Sequence, residues 1–268
     1  MRTVTALADM TGRTCVITGG LGHLGIAMAE ALAENGASVV LIDRSEVPAV
    51  PERFAALEAS APDRIHRRAC DLSEPVALDA LIAELVASFP VIDVLINNAA
   101  FVGTAASQGW ATAFETQSPD LWRQAVEINL TVPFVLVRGL LPAMRAAAAP
   151  AILNIGSIYG LVGPDWRIYE GSTLGNPAAY AASKGGLMQF TRYLATTLAP
   201  KIRVNAICPG GIERGHGGAF LDAYVARTPL GRMATLEDFK GAAIYFASDL
   251  SAYVTGQILA VDGGWTTW

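Results

Sequence analysis

Short apolar runs rich in Val and Ile alternate with longer segments of helical period along the whole chain, and this alternation constrains the fold more than any other feature. Candidate strands are Thr14 to Thr18, Ser38 to Ile42, Ile65 to Ala69, Val91 to Ile96, Ala151 to Ile155, Arg203 to Cys208 and Ile258 to Val261. Between them the periodicity predicts helices over about 24–35, 52–60, 74–88, 119–148, 177–199 and 235–248. Strands that are apolar throughout suit a parallel sheet covered on both faces, because neither side of each strand meets water. The repetition predicts an α/β fold, a doubly wound sheet with helices on both faces. No linker, repeat or composition shift divides the 268 residues, so the chain reads as a single domain, 1–268. Gly36 has the place of a left-handed residue after the first helix, and Ser73-Glu74-Pro75 reads as a cap and helix start. Pro133 and Pro142 should bend or interrupt the long fourth helix.

The charge pattern excludes whole classes of function. With 19 Lys and Arg against 24 Asp and Glu, the net charge is −5 and no basic block exists, so a nucleic-acid partner is not expected. The longest uncharged stretch, Val94 to Phe114, has the length of a membrane span but holds Asn97, Asn98, Thr104 and Gln108, which argues against one. The N-terminus has no apolar run of signal-peptide length. A cytoplasmic protein acting on small molecules, without membrane contact, is the expectation. Cys15, Cys70 and Cys208 are few and far apart, as inert core thiols would be. His23, His66 and His216 pair at no metal-ligand spacing, so no metal is expected.

Four motifs carry chemistry. Thr18-Gly19-Gly20-Leu21-Gly22-His23-Leu24-Gly25 lies between a predicted strand and a predicted helix, where glycines allow a tight turn and bring backbone amides up to a pyrophosphate. Asp43 ends the second strand, where a carboxylate accepts the ribose hydroxyls of an adenosine and repels a 2′-phosphate; this favours NAD over NADP, with Arg44 beside it offsetting part of the repulsion. Tyr180-Ala181-Ala182-Ser183-Lys184 puts a phenol and an ammonium one helical turn apart, and a nearby cation favours the phenolate. Asn154-Ile155-Gly156-Ser157 puts a hydroxyl at the end of the fifth strand, able to hold a substrate oxygen. Asn97-Asn98-Ala99-Ala100 ends the fourth strand. Asn129, inside the long helix, is either a local hydrogen-bonding oddity or a working polar group.

These residues, with Pro209-Gly210 and the Asp262-Gly263-Gly264 ending, stand in the order and spacing of the short single-domain short-chain dehydrogenases/reductases, which the chain resembles over essentially its whole length. The resemblance implies a Rossmann-type sheet of seven strands in the order 3-2-1-4-5-6-7, NAD(P)-dependent hydride transfer, and a homotetramer or homodimer. It implies Tyr180 as general acid/base, Lys184 lowering its pKa and binding the nicotinamide ribose, Ser157 orienting the substrate oxygen, and Asn129 holding a water that links Lys184 to solvent. It places Gly19, Gly22, His23 and Leu24 at the cofactor phosphates. Asp43 and Arg44 fall at the adenosine ribose, Asp71 and Leu72 at the adenine, Asn98 beneath the cofactor, and Pro209, Gly210 and Ile212 along the nicotinamide.

Three departures from the family pattern matter. His23 occupies a place usually held by glycine, and the glycines follow the Thr-Gly-x-x-Gly-x-x-Gly spacing of longer, nucleotide-sugar-modifying members. Arg214 replaces a threonine that usually follows the Pro-Gly pair. Ser157 precedes Tyr180 by 23 residues, further than is common, so an extra loop from Gly163 to Gly171 should hang over the substrate pocket. That loop, with Ser157-Ile158-Tyr159-Gly160, resembles a bacterial subgroup associated with flagellin modification and nonulosonic-acid sugars. Substrate lids are expected at about 101–119, 160–177 and 211–228. Within them Trp110, Trp166, Arg167 and Arg214 would suit a polar, sugar-like substrate, or would pack at a subunit interface. The leading function is a dehydrogenase or ketone reductase. The alternatives are a 3-oxoacyl-type ketoreductase, a sugar epimerase or dehydratase with bound NAD, and a noncatalytic NAD(H) sensor.

Overall fold

In a computed structural model, which describes residues 1–44, 51–103, 107–172, 174–215 and 217–268, seven parallel strands form one sheet. They are β1 (Thr14–Thr18), β2 (Ser38–Asp43), β3 (Ile65–Ala69), β4 (Val94–Asn97), β5 (Ala151–Ile155), β6 (Arg203–Pro209) and β7 (Ile258–Val261), in the spatial order 3-2-1-4-5-6-7. The sheet is Rossmann-type, as expected. Side chains of the inner strands alternate between two dry cores. Cys15, Ile17, Val39, Leu41, Val94, Ile96, Leu153 and Ile155 enter one; Val16, Val40, Ile42, Leu95 and Ile152 enter the other. That two-sided burial is why these strands read as unbroken apolar runs. The edge strand β3, half exposed, carries His66, Arg67 and Arg68 instead.

The helices are α1 (Val4–Ala8), α2 (His23–Glu34), α3 (Pro51–Ser60), α4 (Pro75–Ser88), α5 (Pro119–Val126), α6 (Val132–Ala146), α7 (Ala178–Leu198), α8 (Gly218–Arg227) and α9 (Lys240–Ala247). Gly36 is left-handed at φ +98°, directly after the Asn35 cap of α2. Glu74, not Ser73, caps α4; the Ser73 hydroxyl and amide both donate to Asp71 instead. The expected long helix 119–148 is α5 and α6 joined by a π-helical turn, Glu127–Thr131, so its interruption precedes Pro133. Pro142 does not end α6. It and Arg138, whose carbonyl loses the amide donor, both face solvent, where water replaces the missing bond.

The run Pro119–Ala146 is long and apolar enough to cross a membrane by length and composition. Its Val132, Leu136, Val137, Leu140 and Met144 lie in the core with α4 and the sheet, as a core helix of an α/β domain requires. Cys15, Cys70 and Cys208 are free and buried. Of the expected lids, 211–228 contains α8, and 160–177 contains a 3-10 turn, Trp166–Tyr169. Residues 104–106, Thr173 and His216 lie outside the described residues.

Candidate active site

At the carboxyl ends of the strands the order reverses at β1, which pairs with β2 on one side and β4 on the other. Ligands of open parallel sheets bind at such a switch point. The glycine turn leaves β1 there and is tied down on both sides. Gly20 N donates to Ile42 O at 3.0 Å. Asn98 Nδ2 donates to Thr18 O and Gly19 O, both at 2.9 Å, while Thr18 Oγ1 accepts from the amides of Asn98 and Ala99 at 3.1 Å. A Cβ on Gly25 would lie 2.2 Å from Gly19 O, and Gly19 itself is left-handed at φ +62° against Ala99. Gly25 therefore allows α2 to start hard against the turn. His23 is the first residue of α2, in ordinary helical backbone, so a side chain is accommodated at this place.

The resulting cleft is lined by Gly19, Gly22, His23, Leu24, Asp43, Arg44, Asp71, Leu72 and Asn98. Nine of the residues expected around a dinucleotide thus line one groove. The cradle fits a pyrophosphate: a glycine-rich turn whose Leu21 side chain is buried, a helix N-terminus, and no acidic side chain at the first turn of α2. Asp43 accepts from the amides of Leu21 at 3.2 Å and Arg44 at 2.8 Å, which fixes its carboxylate at the rim. Hydrogen bonds from Ser73 hold the Asp71 carboxyl below its ordinary range, with a smaller contribution from Arg44.

The cleft continues into a chamber of about 390 Å³ lined by Ser157, Tyr180, Lys184, Pro209, Gly210 and Ile212, with Leu24, Asn98 and Arg214 common to both spaces. Lys184 is 2% exposed and donates to Ile155 O at 2.7 Å. Burial pushes its ammonium down to about 8. Burial raises the Tyr180 phenol; the Ser157 hydroxyl and, more weakly, the Arg214 guanidinium pull it back. Lys184, expected to lower Tyr180, makes no such contribution here: its nitrogen is held at the Ile155 carbonyl, 5.9 Å from the Tyr180 ring centre, and the phenol stays raised by burial despite the opposing Ser157 hydroxyl and Arg214 guanidinium. Ser157 Oγ accepts from Tyr159 N at 3.2 Å.

Asn129 lies in the π-helical turn, buried, where Val132 N reaches back to Glu127 O. Its Oδ1 accepts from Phe101 N at 2.7 Å and its Nδ2 donates to Ser183 Oγ at 3.0 Å. Ser183 in turn donates to Tyr180 O at 3.1 Å. The asparagine links the loop after β4 to α7 and makes no side-chain bond to Lys184.

The four expected substrate residues divide. Trp110, 6% exposed, lines the chamber and meets Phe101 edge-on at 4.9 Å; Arg214 also lines it. Trp166, 55% exposed, lies instead in an outer chamber. The Arg167 side chain is 76% exposed and folds back on Asp165, the residue capping its own 3-10 turn, at 2.7 Å. That local pairing turns Arg167 away from the chamber, so it does not converge there with Arg214. Facing inward from the same loops are Tyr159, Tyr169 and Asn176, and α8 adds Phe220 and Tyr224. Sequence reasoning missed these five. Tyr159 is signalled by its place two residues after Ser157, whereas the lid expected at 211–228 carries no sign of the helix α8 that presents Phe220 and Tyr224.

A family model described as Enoyl-(Acyl carrier protein) reductase matches residues 22–266. The chain is 33% identical to 2-dehydro-3-deoxy-D-gluconate 5-dehydrogenase of Pseudoalteromonas atlantica, over 96% of this chain and 97% of the relative. It superposes on a short chain dehydrogenase of Leptospira borgpetersenii with bound NAD+ at 32% identity and a TM-score of 0.84, covering 99% and 96% of the two chains. A gluconate 5-dehydrogenase of Burkholderia cenocepacia in complex with NADP and tartrate matches at 30% identity and 0.83, covering 99% and 100%. With the sheet order and a dinucleotide cleft in place, these matches assign the chain to the short-chain dehydrogenase/reductase family, as an NAD(P)-dependent oxidoreductase.

Proposed function

We propose that the protein moves a hydride between NAD and a secondary alcohol or ketone of a small, polar, sugar-like substrate, with Tyr180 as general acid/base. The observation that carries this is the meeting of Ser157, Tyr180 and Lys184 in one chamber that opens into the glycine-turn cleft. In this reading Ser157 donates to the substrate oxygen and Tyr180 takes or returns its proton. Lys184 holds the strand-end carbonyl of Ile155 and sets a positive charge at the nicotinamide ribose site. Asn129 keeps α7 in place and serves the water path to Lys184. When bound, the nicotinamide supplies the hydride acceptor, with Pro209, Gly210 and Ile212 beside it.

Asp43 supports NAD over NADP, since its carboxylate stands at the cleft rim where a 2′-phosphate would fall; Arg44 offsets part of that repulsion. Arg214 suits a substrate bearing a carboxylate or another anionic group. The sugar-acid dehydrogenases among the relatives agree with such a substrate. Three buried free thiols suit a reducing cytoplasm. Phe134 on α6 and Tyr193 on α7, both exposed, suit a homotetramer or homodimer built on those helices.

The test is a panel of sugar acids, polyols and simple secondary alcohols followed by NADH absorbance. Tyr180→Phe should abolish turnover on the substrate found while leaving NADH binding nearly intact. Near-normal rates in that variant would reject Tyr180 as the proton carrier.

A further inference from the structure

Next to the Tyr180 chamber lies a second one of about 710 Å³, walled by Phe114, Trp166 and Leu174. Tyr169, Gly175 and Asn176 line both spaces, so they form the threshold between them. Two features of that threshold are unexplained by the dehydrogenase chemistry. The first is Asn176: it is 6% exposed, and its Nδ2 has no hydrogen-bond partner. Buried amide groups are almost always paired, and an orphan on a pocket wall asks for a ligand acceptor. The second is a phenol pair. Tyr159 and Tyr169 hydrogen-bond to each other through their hydroxyls. Two phenols carry two protons, and one suffices for their mutual bond, which leaves the other O–H to donate elsewhere.

The threshold thus offers donors, an amide N–H₂ and a phenol O–H, and both belong to the stretch between Ser157 and Tyr180. We infer that Asn176 and the Tyr159–Tyr169 pair form a second polar subsite, which receives an acceptor oxygen on a carbon beyond the reacting one. The substrate class this selects is a polyhydroxylated carbon chain long enough to cross the threshold, in preference to an alcohol that is apolar away from its carbinol. The proposal rests on the dehydrogenase reading for which end of the substrate meets Tyr180.

The experiment compares the full chain with its Asn176→Leu and Tyr169→Phe variants, all checked for an unchanged melting profile. Each is assayed with NAD on galactitol, mannitol and sorbitol and on the two enantiomers of 2-hexanol. The readout is the ratio of kcat/KM for the preferred hexitol to that for the preferred 2-hexanol. Asn176→Leu should lower that ratio about tenfold or more, and Tyr169→Phe severalfold, because a donor is lost only where an oxygen was received. An unchanged ratio in both variants, or equal loss on both substrates, overturns the subsite. If the wild-type protein turns over none of these alcohols, the dehydrogenase reading fails on them, and calorimetry of the NADH-loaded protein decides the subsite separately. Hexitol binding weakened about tenfold by Asn176→Leu supports it, and equal or absent binding in wild type and variant overturns it.

Discussion

Lys184 Nζ donates to the carbonyl of Ile155 at 2.7 Å, whereas the Tyr180 ring centre one turn earlier on α7 is 5.9 Å away. The lysine is therefore anchored to the end of β5, the strand that also delivers Ser157. This bond, with Asn154 Nδ2 donating to Thr191 Oγ1 at 2.9 Å, ties α7 to β5, so phenol, hydroxyl and ammonium share one frame.

That anchorage has a pH signature. Burial holds the Lys184 ammonium at about 8, against 10.5 for an ordinary lysine. Below pH 8 both folded and unfolded chains carry the proton, so the full penalty of burying the charge is present. Between pH 8 and 10.5 the unfolded chain binds a proton that the folded chain has shed, and this group's contribution to stability rises with pH. Chemical denaturation of wild type and Lys184→Met should show wild type gaining on the variant between pH 7 and 10, by on the order of 1 kcal/mol or more. A stability difference independent of pH would show that the ammonium is not penalised.

The doubly wound parallel sheet and the dinucleotide cleft were legible because they depend on backbone: unbroken Val/Ile runs, glycines where α2 meets Gly19, and an acid ending β2. The strand order itself came from the family resemblance, since apolar runs do not say which strands are neighbours. The substrate side was less legible because it depends on which way loop side chains turn. Trp166 and Arg167 stand beside Ile168 and Tyr169 in one 3-10 turn; Ile168 is buried and Tyr169 lines the chamber, while Asp165 draws Arg167 outward. No periodicity in a turn of four residues encodes that choice. Asn129 was legible as an anomaly, since asparagine disfavours helix, but the π-helical turn around it was not.

Gly25 tests the close approach at the turn. A Cβ there would sit 2.2 Å from a backbone oxygen that no rotamer change can move. Gly25→Ala should push α2 away from the turn, weaken NADH binding about tenfold or more, and lower thermal stability by about 1–3 kcal/mol. Fluorescence titration with NADH and a thermal melt check both. An alanine variant with wild-type affinity would mean that the turn has slack.

Asp43 carries the proposed preference for NAD over NADP. Asp43→Ala removes an ionised acceptor from the ribose site and the charge that opposes a 2′-phosphate. The kcat/KM with NAD should fall about 10–100-fold and that with NADP should rise, because hydrogen bonds to charged groups are worth roughly 1.5–3 kcal/mol. A wild-type preference for NADP would reverse the reading and give the ribose site to Arg44.

The two arginines considered for substrate binding, Arg167 and Arg214, should behave oppositely. Arg167 is itself exposed and turned out of the chamber, and Asp165 keeps a second partner in Arg227 at 3.0 Å, so Arg167→Ala should change kcat/KM by less than about twofold and leave the melting profile nearly unchanged. Arg214 lies where the cleft meets the chamber; burial lowers the His23 imidazolium and Arg214 adds to that, while burial raises the Tyr180 phenol and Arg214, after Ser157, opposes it. Removing that cation should let the phenol rise, so the base form of Tyr180 appears at higher pH. In Arg214→Ala the ascending limb of kcat/KM for alcohol oxidation should therefore move to higher pH. Arg214→Lys, which keeps the charge, should restore most of the shift. If the alanine variant instead loses rate equally at every pH, Arg214 binds substrate without tuning Tyr180.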